Sequence, residues 1–342
     1  MAALVETAFG RRWLRRQSRE TAVNMALLAA LPTAVLWALL VDEPFTVTLA
    51  TRITILAIAA VGLNLALGHG GLVSLGHAAF FGIGGYVLGI LSWHAQNEVV
   101  LGAWPAEIPG TTWAPALWLL AVFVGGTAAF VMGALCLRSS GVYFIMITLA
   151  FAQMVYYFAI SWPAYGGEDG LALYVRSRVP GLDASAPLQF FGLCFAWLIG
   201  ILALMRAVVR SRFGLALECA RQNPSRLACV GIAPFPVRLA AFTISGAVTA
   251  LAGALYADLN RFVSPSMLSW QTSGEIMVFV ILGGVGRWLG PLVGAAVFIL
   301  LEHWLGGVTE FWPALLGLLL LVVVLRVRGG LMDLLAGPRP HG

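Results

Sequence analysis

Lysine is absent from this 342-residue sequence, in which all 20 basic residues are arginine. Without it there can be no G-x-x-x-x-G-K-[ST] phosphate loop and no Schiff-base amine, so any ATP consumed in this protein's work must be bound by another polypeptide. Charge is also scarce, at 10% of residues, against about 25% in a soluble domain. Twenty basic and 15 acidic residues cannot cover the surface of a 36.4 kDa soluble globule, which excludes soluble enzymes and nucleic-acid binders. The four cysteines (Cys136, Cys194, Cys219, Cys229) form no C-x-x-C pair. Two lie inside apolar runs and two flank an arginine-rich loop, so neither a disulfide framework nor a metal site is expected.

What the sequence does hold is apolar: 60% of its residues, with a mean hydropathy of +0.92. These residues gather at about 22–41, 48–67, 77–93, 115–137, 142–161, 188–209, 237–257, 273–286, 289–305 and 311–326. Most of the blocks are long enough to cross about 30 Å of hydrocarbon. The eighth is short and broken by Gly283, Gly284 and Gly286. The expected fold is an all-α, polytopic membrane helix bundle of about ten spans, or eight if 273–305 is partly re-entrant. Both counts leave the two termini on one side. Sixteen arginines fall on that side: Arg11, Arg12, Arg15, Arg16, Arg19, Arg138, six from Arg206 to Arg238, Arg287, Arg326, Arg328 and Arg339. Arg52, Arg176, Arg178 and Arg261 fall on the other. This asymmetry predicts cytoplasmic termini.

Residues 1–21 then read as a cytoplasmic, arginine-rich lead-in without the apolar core of a signal peptide. Residues 22–326 form a single transmembrane domain, and 327–342 a short cytoplasmic tail. The long outer loops at 94–114 and 162–187 carry acidic residues and, at or near their ends, Trp104, Trp113, Trp118, Trp162 and Tyr165, residue types suited to the headgroup level.

Two stretches depart from a plain bundle. Gly62 to Gly89 (GLNLALGHGGLVSLGHAAFFGIGGYVLG) is dense in glycine and also contains Asn64, His69, Ser74 and His77. Glycine alone suits close helix packing. Glycine with buried polar groups points to a discontinuous segment beside a polar pathway. A similar glycine-rich break recurs at Ile281 to Leu305, and paired breaks are a pointer to the centre of a transporter. The second stretch, Arg210 to Arg238, contains a short amphipathic helix with Ala216, Leu217, Ala220 and Leu227 on its apolar positions. Asn223-Pro224 breaks it, and Gly231, Pro234 and Pro236 close it. Such a cytoplasmic knob at 210–236 can lie on headgroups or dock into a groove of a soluble partner.

The run GLVSLGHAAFFGIGGY (Gly71 to Tyr86) resembles the signature of the M-type permease subunit of branched-chain amino-acid ABC importers (LivM-like). So do LRSSGVYFIMITLAFAQM (Leu137 to Met154), GGEDGL (Gly166 to Leu171), SRFGLALECARQNPSRLACVGI (Ser211 to Ile232) and AFTISGAVTALAGALYA (Ala241 to Ala257). The resemblance covers about residues 50 to 330, in order. It implies a multi-pass protein of the bacterial inner membrane that pairs with an H-type permease subunit. Two cytoplasmic ATPase subunits would supply power, carrying the ATP and Mg while this chain holds no cofactor. A periplasmic binding protein would deliver an amino acid to the outer loops. The resemblance assigns ATPase coupling to Ser211, Phe213, Gly214, Ala220, Arg221, Asn223, Gly231 and Ile232, with Phe213 as apolar anchor and Arg221 as electrostatic partner. Gln222 stands where the family commonly has an acid.

Polar residues within or at the edge of apolar blocks give the pathway candidates Asn64, Ser74, His77, Thr148, Gln153 and Glu275. Span hydroxyls more commonly bond a carbonyl of their own helix. Two other classes compete with the importer. An ion-coupled secondary transporter would want a buried carboxylate pair or relay, and an intramembrane enzyme would want paired aspartates, H-E-x-x-H or a serine–histidine motif; neither pattern stands out in the spans. Within the family, urea, short amides and aromatic acids are alternative cargoes.

Overall fold

The computed structural model describes residues 22–41, 43–98, 110–174, 176–181, 186–307, 311–326 and 329–337. The expected lead-in at 1–21, most of the outer loop at 94–114 and residues 327–328 and 338–342 of the tail lie outside the described residues. The first described helix is α1 (Ala22–Leu40). It is followed by α2 (Pro44–Asn64), which runs on as a π-helical turn at Leu65–His69, then α3 (His77–Gln96), α4 (Ala114–Cys136) and α5 (Val142–Ile160). α6 (Pro187–Arg210) leads into two short helices, α7 (Arg212–Gln222) and α8 (Pro224–Cys229). Then come α9 (Pro234–Asn260), α10 (Trp270–Gly283), α11 (Gly290–Gly306), α12 (Trp312–Arg326) and α13 (Leu331–Ala336).

Among the described residues, seven helices are long and apolar enough to cross a membrane: α1, α2 with its π turn, α3, α4, α5, α6 and α9. The three blocks expected at the C-terminal end are shorter helices of 14, 17 and 15 residues. At 1.5 Å per residue these reach about 21, 26 and 23 Å. α11 folds back along α10, with the Phe279 and Phe298 rings 4.9 Å apart.

Burial ranks the helices. α2 and α9 are the most enclosed, at 78% and 72% of their apolar windows, while α5 and α1 reach only 22% and 17%. α2, α3 and α9 are therefore the centre, and the other helices surround them. Lipid offers no hydrophobic drive for helix association, so close packing must hold these three together. At Gly84 of α3 a Cβ would strike the Ala250 backbone of α9, and at Gly253 of α9 one would strike the carbonyl of Phe81. A packing seam thus accounts for the second half of the glycine-rich stretch. Beside it, Phe80, Phe242 and His77 meet edge to face at 5.4–5.6 Å. The hydroxyls of Thr51 and Thr54 bond the carbonyls of Val47 and Ala50, four residues back, at 2.8 Å.

At the end of the bundle opposite α7 and α8, a feature outside the all-α expectation appears. Two residues of β1 (Leu171–Ala172) pair antiparallel with β2 (Phe262–Val263). The same loop is pinned where Ser177 N and Oγ both donate to buried Asp258 Oδ1, at 3.2 and 2.8 Å. Arg178 forms a bridge to Trp113, joining the two loops expected outside. The loop at 162–187 is therefore anchored to the end of α9.

Candidate functional site

The two glycine-rich breaks meet. After Asn64, α2 widens into the π turn at Leu65–His69, a distortion that recurs at functional positions. Asn64 is buried, and its side-chain amide faces the other break. Its Oδ1 accepts from Gly286 N at 2.8 Å, and its Nδ2 donates to Arg287 O at 2.9 Å. Gly68 permits this approach, since a Cβ there would sit 2.6 Å from Gly286 N. Arg287, 3% exposed, pairs with Asp333 of α13 and donates to Gly337 O at 2.6 Å. Trp288 Nε1 donates to Leu202 O of α6 at 3.1 Å, and Arg206 lies over its ring.

The knob at 210–236 forms as two capped helices. Ser211 Oγ accepts from Gly214 N at 3.4 Å to start α7, and Asn223 Oδ1 accepts from Arg226 N at 3.1 Å to start α8. Gly214 has no room for a Cβ against the Val209 carbonyl. Gly231, at φ +87°, supplies the left-handed residue that ends α8. Leu217, Ala220 and Leu227 are buried beneath the knob. Arg238 of α9 donates to Ala220 O at 2.7 Å, tying the end of α7 to the bundle. Arg221 donates to Gly68 O, so the knob is bonded directly to the first break.

Two residues expected to face a partner thus turn inward. Phe213 is half-buried and packs against the main apolar core, and the Arg221 guanidinium meets a backbone carbonyl of its own chain. Phe213, Leu217 and Ala220 share one helical face, which is the face that meets the bundle. The large apolar groups left outside are Leu215 at 63% exposure, Val230 at 77%, Ile232 at 41% and Phe235 at 39%.

Three pathway candidates gather near the start of α3. Ser74 Oγ accepts from Gly76 N at 3.1 Å. Gly76 lies against Thr148, whose Oγ1 bonds Ile145 O of its own helix at 2.9 Å. His77 Nε2 meets Ser245 Oγ at 2.8 Å, and that hydroxyl donates to Gly62 O at 2.7 Å. A hydroxyl has one proton. With it committed to Gly62, His77 must be the donor at Nε2, leaving Nδ1 as a buried acceptor without a partner among the described residues. Ser273 of α10 accepts from Ala78 N at 2.8 Å, filling one of the open donors at the helix start. Gln153 stands apart, with Nε2 buried and unpartnered.

Glu275 belongs to a different place. It lines a cleft of about 460 Å³ with Arg52, Leu56, Phe81, Tyr156, Tyr256, Ser266, Met267, Ser269, Gln271 and Thr272. Arg52 Nη2 reaches both oxygens of Glu302, at 3.1 and 3.2 Å, while Arg52 Nε is buried without a partner. The sequence reading missed this pairing because 250 residues separate the two partners. A signal existed: Arg52 sits two turns into α2, and Glu302 lies inside the apolar α11. Among the described residues, no group of three or more His, Cys, Asp or Glu side chains converges as a metal site.

The cleft and the knob occupy opposite ends of α2, one near its start and one at its broken end. Comparison with known proteins fits that layout to a transport component. The sequence profile of the family described as branched-chain amino acid transport system / permease component matches residues 45–325. Two relatives share 28% identity over 331 residues, covering 90% of this chain and 74% of each relative. Both are described as the high-affinity branched-chain amino acid transport system permease protein LivM, one from Salmonella typhimurium strain LT2 and one from Escherichia coli strain K12. No solved structure matches the chain significantly. Matched by that profile over most of its length, with the sequence signatures, the apolar helices and the capped knob in place, the chain belongs to the branched-chain amino acid transport permease family.

Proposed function

We propose that this permease subunit forms the M-type half of a heteromeric ABC importer and moves branched-chain or related amino acids inward. An H-type permease subunit completes the channel, two ATPase subunits bind the knob, and a periplasmic binding protein docks on the anchored outer loop. In this reading the chain makes ten crossings, the last three tilted or partly re-entrant, with both termini in the cytoplasm. The arginine asymmetry supports that orientation.

The observation that carries the mechanism is a continuous line of bonds from knob to break. Arg221 holds Gly68 O at the end of α2, and four residues earlier Asn64 holds the second break at Gly286 and Arg287. A knob displaced by closure of the ATPase dimer would pull both breaks together. Leu215, Val230 and Ile232 supply the exposed apolar surface for the ATPase groove. Ser211, Gly214, Ala220, Asn223 and Gly231 shape the knob that presents it. Ser74, His77 and Thr148 lie beside the first break, where such a movement would open or close a route. A ligand-driven change requires different contacts in its two states, and the break-to-break bonds are the ones available to change.

Uptake of labelled leucine into right-side-out vesicles bearing the full complex, with ATP supplied inside, tests the reading. Uptake should require ATP and persist after a protonophore collapses the proton gradient. Loss of uptake with the protonophore, at constant ATP, would replace the importer with an ion-coupled carrier.

A further inference from the structure

We propose that the cleft between α2, α5 and α10 is a transient binding site for a zwitterionic α-amino acid, with Arg52 taking the carboxylate and Glu275 the ammonium group. The proposal rests on the amino-acid importer reading above and adds to it the groups that would touch the cargo. Three observations support it. The first is size: about 460 Å³ lies within the 300–1,000 Å³ range of small-molecule sites.

The second is charge. Arg52 and Glu275 line the cleft, with Glu302 bonded to Arg52, so both signs of charge stand in one region. Glu302 holds Arg52 through Nη2 alone. The Arg52 side chain is still 36% exposed and lines the cleft, so the guanidinium keeps donors for a second carboxylate. Glu275 is exposed and, among the described residues, makes no ion pair within 4.0 Å. The lining therefore offers a cationic and an anionic side chain together, which suits a ligand that brings an ammonium group along with its carboxylate.

The third is the apolar part of the lining, where Leu56, Phe81 and Met267 stand beside the charged groups. A small molecule with a charged head and an apolar side chain matches both kinds of lining. A lone amine would meet only the acidic group of the lining, and a lone carboxylate only the guanidinium, so a ligand carrying both charges makes one more charge-assisted contact than either.

The test measures binding and uptake separately. Binding of L-leucine, isoamylamine and 4-methylpentanoate to the purified full-length chain in nanodiscs is followed by saturation-transfer NMR. L-leucine should bind in the millimolar range, and each single-charge analogue at least tenfold more weakly. Glu275→Gln should weaken L-leucine at least tenfold and leave 4-methylpentanoate unchanged. Arg52→Gln strands Glu302, so the double variant Arg52→Gln/Glu302→Gln is measured beside it. It should lose L-leucine by the same factor and no longer discriminate against isoamylamine. Unchanged L-leucine binding in Glu275→Gln and the double variant, or no binding of L-leucine to the wild type, overturns the site. ATP-driven leucine uptake by the assembled transporter reads the transport proposal independently. Uptake with no binding in the cleft sinks this site alone, whereas binding without uptake sinks the transport reading and leaves the site standing.

Discussion

Replacing Asn64 by Ala removes the bolt between the two breaks, and the structure sets the expected size of the effect. The substitution deletes the acceptor of Gly286 N and the donor to Arg287 O. Both backbone groups sit in a tight, buried junction. A buried group left unsatisfied costs about 1–3 kcal/mol, so two together cost about 2–6 kcal/mol. Hydrogen bonds measured between membrane helices average lower, about 0.6 kcal/mol each, which places the floor near ~1 kcal/mol. If these bonds also transmit movement, losing about 1–2 kcal/mol of coupling corresponds to a factor of about 5–30 in the balance between states. The assay compares ATP-driven leucine uptake, ATPase copurification and thermal unfolding for wild type and Asn64→Ala. Thr243→Val serves as control, because Thr243 bonds only Leu239 O of its own helix at 2.9 Å, and its loss should stay within about 0.5 kcal/mol. Asn64→Ala should copurify with the ATPase, unfold earlier and lose most uptake. Uptake within twofold of wild type, with copurification intact, would refute the claim that force passes through the bolt.

Gly68→Ala should be at least as damaging as Asn64→Ala, since its methyl would press on the Gly286 backbone; normal expression and uptake would contradict the packing. Leu215→Asp should leave thermal stability nearly unchanged and abolish ATPase copurification, whereas Phe213→Ala should lower stability by about 2 kcal/mol, roughly half the cost of a fully buried Phe. A pull-down and a melting curve on each variant separate the two effects. Ser245→Ala should destabilise the chain by about 1–3 kcal/mol, because it leaves Gly62 O and His77 Nε2 buried without their shared hydroxyl, and unfolding in detergent reads this. A membrane-impermeant maleimide should label Cys219 and Cys229 in inside-out vesicles and spare them in right-side-out ones, while Cys136 and Cys194 stay unlabelled in both. The reverse pattern would invert the proposed orientation.

The helix positions were legible because a membrane demands long apolar runs, and each of the ten expected blocks begins within four residues of the start of an observed helix. The knob was legible from its caps: Ser211, Asn223 and Gly231 have local jobs that short-range sequence encodes. Even the inward turn of Phe213 was readable, from its spacing of four and seven to Leu217 and Ala220. What sequence could not supply were meetings across long separations. Asn64 finds Gly286 over 222 residues and Arg221 finds Gly68 over 153. Nothing in either local run encodes its partner, since an amide or a guanidinium will bond any carbonyl placed in reach. The same limit hid Ser245, a hydroxyl that looked like any other on an apolar helix.

The strap from Arg287 to Asp333 and the Gly337 carbonyl has a practical consequence for anyone expressing this protein. A purification handle fused immediately behind Gly337 would tug on the guanidinium that steadies the second break. Deleting the last short helix would strand that cation in a site only 3% open to solvent. Handles belong after a flexible spacer, and a shortened gene that yields inactive protein would report a lost counter-ion rather than a dispensable tail.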